Sequence, residues 1–262
     1  MKIELDITES VQKNAERYFE SSKKAKRKVT GARQAIERMS EEGVRERAPQ
    51  APAAQRVHRW FMDYRWHVTA SGVLCVGGRS AETNERLIKR YANAKDRIFH
   101  TDVQGSPFYV ARTRGRELAD AERVGIANAC ASFSRAWKYG LASIDVFEVG
   151  PEQVSKRARA GEYVATGSFM VYGERVYHHG ALELYATLVT IDETLYVMLS
   201  GERLEESFAR LTPGDIVVSE AARELAAATK VPISEIERSL PPGPVRIEML
   251  SAPNARDLGR IE

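Results

Sequence analysis

The residues best suited to chemistry fall in one stretch: Gly77-Gly78-Arg79-Ser80, then Asn84-Glu85 and Lys89-Arg90, then His100-Thr101-Asp102. Glycines between a strand and a helix let backbone N–H groups approach an anion, and the helix start adds partial positive charge. Arg79 would bring a planar two-donor fork to a phosphate there. The run is neither a Walker loop nor GxGxxG, and a plain tight turn is the alternative. Asn84 could read a base edge or brace a loop. Glu85 could hold Arg79 or Arg90 in place. His100 and Asp102 stand two apart on an expected strand and so share a face. A carboxylate beside an imidazole suits general acid–base work, the alternative being a pair that stiffens a loop. No nucleophile or oxyanion hole accompanies them, so no catalytic residue is assigned. His178 and His179 face opposite ways in a strand and lack a fitting third ligand, so neither a metal nor another cofactor is expected.

Two further clusters are basic. Ser134-Arg135-Ala136-Trp137-Lys138 offers two cations and an indole, which could stack a base and clamp its phosphate; Trp137 could equally be core. Gln153-Val154-Ser155-Lys156-Arg157-Ala158-Arg159 leads into Gly161-Glu162-Tyr163 and suits backbone contacts that do not read sequence.

The charge balance points the same way. The net charge of +3 over 262 residues divides into +3 for residues 1–50, +7 for 51–160 and −7 for 161–262. A basic middle beside an acidic end fits a polyanionic partner on one face, ordinary solvated surface being the alternative. At 43% apolar residues the chain can bury a real core. Cys75 and Cys130 form no CxxC pair and read as buried thiols in a reducing compartment. The first residues are charged, unlike a signal peptide, and no apolar run reaches the ~18–20 residues that span a bilayer. A cytoplasmic protein with no membrane contact is expected.

The elements that must position these residues follow from periodicity. Residues 8–47 predict one long helix. Val11, Ala15, Tyr18, Ser22, Ala25, Val29, Ala32, Ile36 and Met39 are spaced like a coiled-coil seam, and Asp6 with Glu9 could cap the start. The seam is thin and interrupted near Gly31, so the helix should need a partner: a second copy, another chain or RNA. Residues 49–54 are a Pro/Ala linker. A short helix over 56–62, a hairpin of 64–70 and 73–76, and a helix capped by Ser80 and running to about residue 91 come next. Strands are expected at 97–102 and 108–113, and a long helix at 117–138 with Leu118, Ala121, Val124 and Ala129 inward. Strands at 144–149, 168–172, 183–191 and 195–199 follow. Residues 203–240 predict helices and loops, with order ending at Pro241-Pro242-Gly243. The fold class is α+β, a mixed β-sheet with packed helices. The expected divisions are a helical segment 1–48, a linker 49–55, a core 56–200 and a helical extension 201–262.

Several of these blocks occur together in one known family. Arg65-Trp66, Ser71-Gly72, Gly77-Gly78-Arg79, Asn84-Glu85, Lys89-Arg90-Tyr91, Asp96 and His100-Thr101-Asp102 resemble the NFACT-R domain. So do Gly105-Ser106-Pro107, Ser134-Arg135-Ala136-Trp137, the run from Pro151 to Lys156, Gly161-Glu162-Tyr163 and Gly167-Ser168-Phe169-Met170. The domain belongs to the NEMF-like ribosome quality-control factors, whose bacterial members are called fibronectin-binding proteins. The resemblance covers about residues 60–173 and is closest to archaeal members. The stretch from Asn14 to Phe19 looks like the start of that family's coiled-coil segment. The resemblance implies an RNA-binding module. Its full-length relatives bind the large ribosomal subunit carrying a stalled chain, recruit tRNA and support C-terminal tailing.

Nothing in the sequence resembles the N-terminal NFACT domain, where such factors carry their main tRNA-contacting motif, and Met62-Asp63-Tyr64-Arg65 is not that motif. A short stand-alone member, or one half of a split factor with a separate N-terminal partner, is expected. The expected contacts to rRNA or tRNA are Arg79, Asn84, Lys89, Arg90, Arg135, Trp137, Lys138, Lys156 and Arg157, with His100 and Asp102 shaping the site. The long helix could pair two copies. The rival readings are an RNA-processing enzyme using His100 and Asp102, and a protein adaptor acting through the helix.

Overall fold

The computed structural model describes residues 10–41, 58–103, 105–156, 167–259 and 261. The chain divides into two units, residues 1–55 and 56–262. In the first, α1 spans Val11–Glu41. Its seam residues Val11, Tyr18 and Val29 are exposed. Asp6, Glu9 and the linker 49–54 lie outside the described residues.

In the second unit, residues 56 and 57 of the helix expected over 56–62 lie outside the described residues, 58 and 59 are not helical, and Trp60–Asp63 form a 3-10 turn. Then come β1 (Arg65–Val68), β2 (Leu74–Gly77), α2 (Ala81–Arg90), β3 (Arg97–His100) and β4 (Tyr109–Ala111). They are followed by α3 (Asp120–Ser132), β5 (Ser143–Val149), β6 (Val154–Ser155), β7 (Met170–Val171) and β8 (Val176–Ala181). The chain continues through β9 (Leu184–Ile191), β10 (Thr194–Ser200), β11 (Ser207–Ile216), α4 (Val218–Thr229), α5 (Ile233–Ser239), β12 (Val245–Met249) and β13 (Arg256–Asp257).

Two main sheets form. One has the order β1-β2-β4-β3-β5-β8 and is antiparallel throughout. The other runs β10-β9-β11-β12, with β13 parallel to β9 where β11 has left it. The β6–β7 ribbon stands apart. The expected mixed sheet is thus two antiparallel layers with a single parallel pairing.

The central strands β2 and β4 are buried on both faces, which explains their near-continuous apolar sequences. In β2, Leu74 and Val76 join Ile98, Val110 and Leu87 of α2 on one side, while Cys75 joins Phe99, Tyr109 and α3 on the other. Full burial of such side chains stabilises by about 1.5–3 kcal/mol each. Cys75 and Cys130 are buried free thiols. Among the described residues, no helix is long and apolar enough to cross a membrane.

Two expectations fail here. The helix expected over 117–138 stops at Ser132 and resumes as a 3-10 turn, Arg135–Tyr139. Of the expected inward face, Leu118 and Ala129 are buried, whereas Ala121 and Val124 are exposed and Gly125 and Ile126 are buried in their place. The expected helical extension 201–262 holds the helices α4 and α5, but β11, β12 and β13 lie in it as well. β11 and β12 carry the second sheet across residue 200 and past Gly243, with a bulge between Pro213 and Ile216 that accommodates the proline and glycine.

Candidate nucleic-acid interface

Ser80 caps α2 by accepting the Thr83 N–H at 3.2 Å, and Thr83 Oγ1 accepts the N–H groups of Arg79 and Ser80 at 2.8 and 2.7 Å. Glu82 in the first turn and Lys89-Arg90 in the last match the helix dipole. The two glycines before this cap make room rather than hold an anion. A Cβ on Gly77 would overlap the Tyr109 ring and one on Gly78 the Asn84 amide. Gly78 donates its N–H to Phe108 O at 3.1 Å.

At this end of α2 lies a groove of about 730 Å³. Its walls come from the cap of α2, residues 101–103 and 105–108, the turn at Arg135–Tyr139 and the segment before β8. It brings together Arg79, Asn84, His100, Asp102, Arg135 and Lys138 from the expected set, and adds Arg65, Phe169 and Arg175. Five cationic side chains line it against one carboxylate, Asp102, among the described residues.

The members play different parts. Arg79 donates to Tyr64 O at 2.9 Å and to Arg238 O, so its fork is directed at backbone carbonyls rather than at a phosphate; burial lowers its pKa. Arg65 donates to Leu240 O at 3.1 Å and lies 4.1 Å over the Phe133 ring, with burial pulling it down to about 10. Asn84 is buried and braces the loop, donating to Ser106 O and accepting the Phe108 N–H. Arg135 and Lys138 are exposed at the rim. Arg175 sits 4.4 Å over the Phe147 ring and 3.4 Å from Asp102.

Trp137 is not a base-stacking platform. It is 1% exposed, and its indole N–H donates to Pro244 O at 2.9 Å, because the chain turns at Ser134 and points the ring into the core.

The expected acid–base pair is not assembled either. His100 Nδ1 meets Pro107 O at 2.9 Å, and since a carbonyl cannot donate, Nδ1 carries the proton. The ring stacks on Phe108 at 3.8 Å, and burial pushes its pKa down to about 4. Asp102 lies beyond the strand, 77% exposed, and pairs with Arg175 instead.

Lys89 and Arg90 lie at the other end of α2, on its exposed face. Glu85 holds neither Arg79 nor Arg90. It pairs with Lys89 at 2.6 Å and Lys156 at 2.9 Å and accepts the Gly167 N–H at 3.1 Å. These three partners hold its carboxyl down at about 2. Lys156 also lies 4.6 Å over the Phe169 ring, which reaches the groove. Arg157 and Gly161-Glu162-Tyr163 lie outside the described residues. Arg175 was not among the expected residues; it immediately precedes β8, the strand that holds His178 and His179, and Val176-Tyr177 after Gly173 was the signal for where that strand begins. Among the described residues, no group of three or more metal-ligating side chains occurs.

Residues 60–173 match the family model described as the NFACT protein RNA binding domain. This segment belongs to the NFACT-R family. The NFACT-R segment contains most of the groove; Arg175 and Pro242 come from beyond it. The archaeal Rqc2 homolog aRqcH of Methanocaldococcus jannaschii is 35% identical over 197 residues, covering 72% of this chain and 29% of that protein. The ribosome quality control complex subunit NEMF homolog of Drosophila melanogaster is 31% identical over 182 residues, covering 66% of this chain and 18% of that protein. The chain thus spans less than a third of these curated relatives. A solved structure, the C-terminal part of the fibronectin/fibrinogen-binding protein from Streptococcus suis, is similar at TM-score 0.39 and 16% identity, covering 66% of this chain and 76% of that one. That likeness is too weak to carry an argument.

Proposed function

We propose that this NFACT-R domain binds RNA in the groove at the start of α2, on large-subunit rRNA or tRNA, in quality control of stalled ribosomes. The observation that carries the reading is the placing of Arg135, Lys138 and Arg175 on one groove whose single lining carboxylate among the described residues, Asp102, is paired with Arg175. The matched RNA-binding family and the ribosome quality-control names of the relatives support the setting. Under this reading the protein works in the cytosol, and α1, with Val11, Tyr18 and Val29 of its seam exposed, pairs as a coiled coil with a helix of a second copy or a partner.

Binding to tRNA and to large-subunit rRNA fragments, followed across salt, tests it. Affinity should fall by about 0.7–0.9 log units per log unit of salt for each phosphate neutralised. The Arg135→Ala/Lys138→Ala double variant should lose about 1.5 from that slope and bind on the order of tenfold more weakly, with unchanged melting. Salt-independent binding, or a double variant indistinguishable from the parent, overturns the proposal.

A further inference from the structure

A second arginine-lined cleft lies away from the groove, at the other end of the β1–β2 hairpin. The Ser71-Gly72 turn, the run Arg112-Thr113-Arg114-Gly115-Arg116 after β4, and Arg256-Asp257 of β13 enclose about 500 Å³. Four arginines line it against one carboxylate, Asp257, among the described residues.

The arginine turn is firmly built. Asp96, 1% exposed, accepts the Asn93 N–H at 2.9 Å and lies 3.4 Å from the Arg114 nitrogen. Thr113 donates its hydroxyl to Lys95 O, and Gly115 donates its N–H to the same carbonyl at 3.2 Å. Arg114 is held at φ 54°, in the left-handed region that side chains rarely occupy. Such backbone persists where surrounding structure over-determines it, and it clusters at ligand sites.

The four side chains are differently engaged. Arg116 reaches Ser71 O at 3.3 Å and Glu122 at 2.9 Å, and Arg256 reaches Ala70 O at 3.4 Å and Glu206 at 3.8 Å. Arg112 lies 5.4 Å over the Trp60 ring, and its Nε is buried without a hydrogen-bond partner. Arg114 is exposed. Guanidinium groups fixed by carbonyls and rings suit phosphate oxygens, which accept in the same planar geometry.

The two sites stand at opposite ends of the same strands, since Gly78 lines the groove and Ser71 and Gly72 line the cleft. Four strand residues at ~3.3 Å each put roughly 13 Å or more between them, beyond the reach of one phosphate. Arg112, Arg114 and Arg116 also lie inside the segment that matches an RNA-binding domain, which favours a nucleic-acid backbone over an acidic protein.

We infer that the arginine cleft is a second phosphate site, and that one RNA is gripped at both ends of the β1–β2 hairpin. This rests on the RNA-binding reading above. The test uses the full chain, unfractionated tRNA as probe and a salt series. The variant is Arg114→Asn/Arg256→Gln, asparagine being tolerated at positive φ. Affinity should drop on the order of tenfold, and the salt slope should shrink by about 1.5. Melting confirms the fold, and the single exposed change Arg114→Asp, also compatible with that backbone, should give a comparable loss. If tRNA binding and slope are unchanged in both while Arg135→Ala/Lys138→Ala is impaired, the cleft inference falls and the groove stands. If the parent binds no RNA, both fall. If the cleft variants lose binding to polyglutamate but not to tRNA, the cleft serves an acidic protein and the inference is overturned.

Discussion

Asn84 Oδ1 accepts the Phe108 N–H at 3.0 Å while its amide nitrogen donates to Ser106 O at 3.3 Å, so one helix side chain closes the loop that walls the groove. Gly78 completes the brace by donating to Phe108 O and leaving space for the amide. Asn84→Ala should strand a buried N–H and a buried carbonyl and lower stability by about 1–3 kcal/mol. Gly78→Ala should do much the same by displacing the amide. Urea midpoints measure both, and the salt slope of RNA binding should stay at the parental value. Unaltered midpoints would show that the loop holds itself.

Arg79, like Arg65, is a groove cation whose donors already meet two backbone carbonyls. Arg79→Ala should therefore cost about 1–3 kcal/mol of stability by leaving Tyr64 O and Arg238 O unpaired, without reducing the salt slope. The Arg135→Ala/Lys138→Ala variant should show the reverse pattern. Paired measurements of urea midpoint and salt slope separate the two behaviours. A fully stable Arg79→Ala protein with a slope smaller by about 0.8 would return Arg79 to the phosphate.

What could be read in the sequence was local chemistry. Ser80 announced its helix by type and position, and the strands around Gly72 were bounded by turn residues. The face of α3 was not legible, because its small residues give little periodic contrast and because Glu122 is buried against partners far along the chain. Thr69 and Ser71, 53 and 51 residues earlier, donate their hydroxyls to its carboxylate, Thr69 at 2.7 Å. Trp137 was ambiguous for the same reason: the carbonyl that satisfies its indole belongs to Pro244, 107 residues on. In β11, Pro213-Gly214 carries the punctuation of a loop, yet it sits at a bulge whose pairing with β12 no local signal announces. Asp102 reads as the partner of His100 only if neither has a nearer claim, and Pro107 and Arg175 supply those claims.

Glu85 ties α2 to two other segments through Lys156 and the Gly167 N–H. Its carboxyl sits at about 2, below the ordinary carboxylate range, so this tether is complete above about pH 4.5 and is lost only as pH falls through about 2. Glu85→Gln should keep the fold, because α2 buries Leu87 on its inner face, but it should release Gly167 and Lys156. Hydrogen exchange at Gly167 should accelerate on the order of tenfold at neutral pH while amides in β2 and β4 keep parental rates. Parental exchange at Gly167 would mean the segment is held by something other than Glu85.

His67 has both ring nitrogens buried without a hydrogen-bond partner, and burial pulls its pKa down to about 4. His100 is lowered to about 4 as well, chiefly by burial, with the Pro107 carbonyl opposing. The unfolded chain takes up these protons as pH falls through about 6.5, whereas the folded protein stays neutral until about 4. The stability they confer is therefore full above about pH 6.5, drains away between 6.5 and 4, and changes no further below. For fully buried His67 the loss between pH 7.5 and 4.5 is about 2–3 kcal/mol; partly buried His100 should contribute in the same direction. Urea unfolding at the two pH values, compared between the parent and His67→Phe, isolates the first share, since phenylalanine cannot take up the proton. The variant should lose about 2–3 kcal/mol less on acidification. Equal losses in both would mean that His67 takes up its proton in the folded core near 6.5, as it does in the unfolded chain, which its burial without any acceptor argues against.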